Sequence, residues 1–64
     1  MKILNRKEKG QALWMVTYIP KGSKQEETVG VYAKSRLDAS NYMILNRFFG
    51  KQVRIELNFA SQLD

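Results

Sequence analysis

The candidates for acid–base or covalent chemistry in this chain include carboxylates at Glu8, Glu26, Glu27, Asp38 and Glu56, and hydroxyls at Ser35, Ser40 and Ser61. Histidine and cysteine are both absent, which removes the commonest general base, the commonest metal ligand and the thiolate nucleophile. These carboxylates show no ligand spacing, and none of these three serines stands in a nucleophile signature. The glycines at 10, 22, 30 and 50 are isolated, so there is neither a phosphate-cradling loop nor a dinucleotide fingerprint. The expectation is a protein that is not an enzyme, takes no cofactor or metal, and works by contact.

Charge and aromatic surface are what remain. Eleven Lys and Arg against six acids leave a formal charge of +5 on 64 residues, a balance that favours a polyanionic partner. Phosphate contacts are assigned to Lys21, Lys24, Lys34, Arg36, Lys51 and Arg54, most of them in turns or at element ends. Trp14, Tyr18 and Tyr32 are expected to share a sheet face with Arg54, away from the helix. Rings beside cations on an open sheet make a stacking platform, each stacked base being worth roughly 1–3 kcal/mol. The first reading is therefore a small basic regulatory protein that binds nucleic acid, single-stranded or duplex.

These residues need a scaffold, and the chain's patterning supplies one. The run "ALWMVTYI" places Leu13, Met15, Thr17 and Ile19 on one side of a pleat and Trp14, Val16 and Tyr18 on the other. Pro20, Gly22 and Ser23 turn the chain, and it returns as "TVGVYA", a hairpin with a charged loop. Ser35 then reads as an N-cap with Asp38 three residues on. The helix is expected from position 36 to 48 or 49, with Gly50 as its left-handed terminator. Residues 52 to 59 alternate strictly: Val53, Ile55, Leu57 and Phe59 against Gln52, Arg54, Glu56 and Asn58. The class is α+β, a β-β-α-β sheet with one helix packed on one face. Residues 1–10 form a basic arm or a short edge strand, 11–60 the domain and 61–64 a tail.

The helix is apolar on two sides. Leu37, Ile44 and Phe48 form one arc, interrupted by Asn41 and edged by Leu45, while Ala39, Tyr42, Met43 and Phe49 populate the other. A single sheet covers only one of them. The alternative reading assigns the second arc, through Tyr42, Met43 and Phe49, to a larger host protein or to a homodimer.

Two resemblances follow from these stretches. Trp14-x-Val16-x-Tyr18, the turn at Lys21 and Gly22, Gly30-x-Tyr32 and "KSRLDA" together resemble the arm-type DNA-binding domains that precede phage-type integrases. That likeness covers residues 14 to 39 and departs from the pattern in the strand after the helix. The span from "VYAKSRLDA" to "VRIEL" is also similar to small phage proteins that block host RNA polymerase. The implied setting is a phage or mobile-element regulator, and neither likeness assigns a family.

Met1 to Leu4 is followed at once by Asn5, Arg6, Lys7, Glu8 and Lys9, which is not the pattern of a signal peptide, and no apolar run reaches spanning length. The expected location is the cytoplasm, without membrane contact.

Overall fold

The computed structural model describes residues 1–58; the expectations for Phe59 and for the tail at 61–64 fall outside them. In chain order the elements are β1 (Lys2–Ile3), β2 (Ala12–Pro20), β3 (Glu27–Ala33), α1 (Arg36–Leu45) and β4 (Gly50–Leu57). The strands form one mixed sheet in the order β1-β3-β2-β4, with α1 over one face: the α+β, β-β-α-β architecture that the patterning requires.

β2, dense in β-branched and aromatic residues, is paired along both edges. It runs antiparallel to β3, from Ala12 opposite Ala33 to Tyr18 opposite Glu27, and antiparallel to β4, from Trp14 opposite Leu57 to Pro20 opposite Gly50. β3 and β4 therefore point the same way with β2 between them, and α1 makes the crossing. After Pro20, the Ser23 N–H donates to the Pro20 carbonyl at 2.9 Å, with Gly22 at φ 84 supplying the left-handed residue of the turn.

The first residues are fastened along β3. β1 pairs with it in parallel, Ile3 opposite Gly30, and the Leu4 N–H donates to the Gly30 carbonyl at 2.9 Å. Asn5 then imitates a strand partner: its Nδ2 donates to the Tyr32 carbonyl at 2.9 Å and its Oδ1 accepts the Tyr32 N–H at 2.8 Å.

Ser35, in extended conformation, accepts the Asp38 N–H on its Oγ at 3.1 Å and starts the helix. The helix ends at Leu45, earlier than expected. Arg47 adopts φ 64, its N–H donates to the Ile44 carbonyl at 3.2 Å, and the Phe48 N–H donates to the Met43 carbonyl at 2.8 Å. These two bonds form a Schellman motif in which arginine holds the position that glycine usually fills. Gly50 instead opens β4 at φ 153, where a Cβ would collide with the Ile19 carbonyl oxygen.

The core lies between α1 and the face carrying Val16, Tyr18, Val29, Val31 and Ala33, with Ala39 and Met43 descending from the helix; Leu4, Trp14, Tyr42, Phe48 and Ile55 close its margin. The strict alternation expected across β4 fails at one place. Thr17 pairs with Arg54 but Tyr18 pairs with Gln52, so Val53 is the extra residue of a bulge. Gln52 consequently turns toward the helix. Ser40 Oγ donates to its Oε1 at 2.6 Å, and its Nε2 donates to the Ser40 carbonyl at 3.3 Å.

Candidate contact surfaces

The aromatic platform expected on the open sheet face is not assembled. Trp14 and Tyr18 turn toward α1: Tyr18 is 7% exposed within the core, and Trp14 is half-buried with its indole N–H donating to the Ala33 carbonyl at 3.0 Å. Tyr32 belongs to the opposite face, in register with Leu13, and Arg54 joins that face opposite Thr17. They lie on strands either side of β2 and four residues apart along it. The physical reason is the two-residue period of a strand, which leaves only two choices for every side chain at once. Val16 together with Val29, Val31 and Ala33 made the Trp14 face the more apolar, and the helix covered it.

The open face is occupied differently. Thr17 and Thr28 share a hydroxyl hydrogen bond of 3.0 Å, and Arg54 Nε lies 3.3 Å from Glu56 Oε1 in an exposed ion pair. Around Gly30, a Cβ would meet Leu13 Cδ1 at 3.1 Å, Ile3 Cγ1 at 3.2 Å and Met1 Cε at 3.4 Å, so this patch is apolar and tightly spaced. On the helix side, burial pushes the Tyr18 phenol pKa up, and the charge of Glu27 across the strand pair adds to the shift.

The six cations assigned to phosphate contacts are all exposed, and they divide. Lys21 and Lys51 meet at one end of the sheet: the Lys21 N–H donates to the Phe49 carbonyl at 2.9 Å, and Lys51 pairs opposite Ile19. Lys24 belongs to the loop at that same end. Lys34 and Arg36 flank Ser35 at the other end, beyond the Ala12 and Ala33 pair. The nine residues of β2 separate the two groups, roughly 26 Å at the usual rise of a strand. Arg54 sits between them with its charge turned to Glu56. Among the described residues that is the only ion pair.

The helix shows the reverse of the expected orientation. Met43 has no exposed surface, and Tyr42 is half-buried with its hydroxyl donating to the Leu4 carbonyl at 3.2 Å. Neither presents the partner-binding surface assigned to them; of that set only Phe49 is well exposed. Of the arc expected to meet the sheet, Phe48 packs against the core, but Leu37 and Ile44, with Leu45 at its edge, face solvent instead at 67%, 55% and 79% exposed. The sequence signal for this orientation is Ala39. It lies four residues before Met43, and a small residue at that spacing lets a helix axis approach a sheet closely while the long side chain after it fills the space beyond.

A groove of about 610 Å3 lies between the N-terminal segment and the start of α1, lined among others by Arg6, Glu8, Lys34, Asp38 and Tyr42. Its two cations and two carboxylates balance, which gives it no preference for either sign. Among the described residues no cluster of His, Cys, Asp and Glu has the makings of a metal site, and no helix is long and apolar enough to cross a membrane. Fold and surface together define a small basic α+β domain. Comparison with known proteins adds no relative: no family model, no curated protein and no solved structure matches the chain.

Proposed function

We propose that this chain is a cytoplasmic contact module, without chemistry of its own, that binds a protein surface through the outer face of α1. One observation carries the reading: three of the large aliphatic side chains of a ten-residue helix, Leu37, Ile44 and Leu45, project on the side opposite the core. Holding them there costs solubility and contributes nothing to the packing beneath the helix. Such a patch on a small domain is the mark of an interaction site. The sheet-end cations steer the approach of a partner and keep the chain soluble.

The test is photocrosslinking in the cell. Benzoylphenylalanine in place of Leu45 is expected to give one protein adduct of defined mass, and in place of Lys24 none. Equal labelling at both positions, or none at 45, overturns the reading.

A second reading keeps a polyanion as partner, favoured by Lys21, Lys24, Lys34, Arg36 and Lys51, which are exposed and in no ion pair among the described residues. In that form the contact is with phosphates, without base stacking by Trp14 or Tyr18, and the regulator of phage or mobile-element type becomes a backbone binder.

A further inference from the structure

The outer face of α1 carries information about what covers it. Leu37, Asn41 and Leu45 follow one another at four-residue spacing and form a single row along the helix, with Ile44 beside its end. The row reads the same from either end, an amide at its centre and a leucine four residues away on each side. A surface of this kind is complementary to itself under a two-fold axis. An antiparallel second helix places each Leu37 against the other copy's Leu45, and it brings the two Asn41 amides face to face, where each offers both a donor and an acceptor.

The charges agree with the same arrangement. Asp38 lies exposed in the first turn and Arg47 lies exposed just past the helix end, neither in an ion pair among the described residues. Antiparallel docking brings each Asp38 toward the other copy's Arg47 and sets the two helix dipoles head to tail. Between Leu37 and Leu45 the outer face holds no charge other than Asp38. Of the cations that give the chain its charge of +5, Arg36 and Arg47 border this row at the two ends of the helix, and the others stand on β4, in the loops and on the N-terminal segment. Asp38 beside the row and a cation at each end present both signs, which matches a second copy of the same face better than a uniformly acidic partner.

Resting on the contact reading above, we infer that the surface bound by this face is a second copy of the chain, through a two-fold antiparallel pairing of α1 with α1 about Asn41. A contact made by one helix from each side is smaller than the roughly 1,200 Å2 of stable complexes, so the pairing is weak and depends on concentration.

Sedimentation equilibrium of the whole chain tests this, from about 10 μM to about 1 mM, a range that brackets such affinities, at low and at high sodium chloride. The apparent mass is expected to climb from 7.5 kDa toward twice that value. It should climb at lower concentration in high salt, because two chains of like charge repel and salt screens them. Leu45→Glu is expected to remain at the single-chain mass with an unchanged circular dichroism spectrum, its site being exposed. Asn41→Leu is expected to tighten the pairing about tenfold or more, since a central polar residue sets register at a cost in stability.

A wild-type mass that stays at one chain under every condition overturns the second copy as occupant. The contact reading then stands or falls on whether position 45 crosslinks to a different protein. A dimer that Leu45→Glu fails to dissolve overturns the pairing of α1 with α1, because the outer face is then not the surface between the copies, and the contact reading is again decided by crosslinking at position 45.

Discussion

Met43 and Leu45 stand two residues apart on α1 and meet opposite environments: Met43 is wholly buried against the sheet, whereas Leu45 keeps 79% of its surface in solvent. Two apolar residues of similar size thus stand apart, one packed in the core and one left in solvent.

Met43→Ala is expected to remove about 2–5 kcal/mol of stability through lost burial and the cavity left behind. That is comparable with the whole margin of a domain this small, so the variant should be largely unfolded at room temperature. Leu45→Ala should shift stability by no more than about 0.5 kcal/mol. Urea titrations followed by circular dichroism separate the two, and equal losses would contradict the orientation of the helix.

The positive-φ residues make opposite forecasts. Arg47 holds a left-handed conformation that disfavours a Cβ, so Arg47→Gly is expected to stabilise the fold by about 0.5–1 kcal/mol. Gly50→Ala should do the reverse and by more, because its new methyl group would meet the Ile19 carbonyl where β4 joins β2. Thermal melting of both variants checks the pair. A stable Gly50→Ala protein would mean that the junction of β2 and β4 is looser than described.

Tyr18 makes the fold sensitive to alkali. Its phenol pKa is raised by burial and by Glu27, so above pH about 10 the unfolded chain releases a proton that the folded chain still holds. Unfolding then gains in favour as pH rises, and stability is lost between the unfolded and folded pKa values. Tyr18→Phe should lack this contribution, and its denaturation midpoint should fall less steeply above pH 10. An identical alkaline profile in the variant would remove Tyr18 as the cause.

If the chain binds nucleic acid, anisotropy of a labelled duplex should show affinity falling with salt at a slope near −0.9 for each phosphate neutralised. Lys21→Glu with Lys51→Glu, and Lys34→Glu with Arg36→Glu, should each weaken binding, since the groups are too far apart to act as one. Trp14 emission should change little, because the indole is held at the core margin by its bond to Ala33. Strong, sequence-independent quenching of Trp14 would instead point to an opening of the helix from the sheet.

Much of the fold was legible because local signals agreed with one another. β2 and β3 followed from β-branched and aromatic runs bounded by Pro20 and Gly22, and the helix start followed from Ser35 and Asp38. Its end falls earlier than the apolar periodicity predicts. Phe48 extends the apolar periodicity, but the chain leaves the helix at Asn46 and Arg47 and delivers Phe48 to the core from outside it. The contact residues were harder to read. An apolar alternation states which residues share a face without stating which face is covered, and so Trp14 and Tyr18 were placed in solvent and Leu37 beneath the helix.

The sequence by itself determined the elements, their order, the absence of His and Cys chemistry, and a charge of +5, because each depends on residue type and near neighbours. Tertiary structure decided which face of the sheet and which side of α1 became the core. That choice depends on long-range packing: Ala39 and Met43 fit against Val16 and Val31, and the Val53 bulge turns Gln52 to meet Ser40. Once those contacts formed, Leu37, Ile44 and Leu45 were left outside as the surface on which the protein's function is proposed to rest.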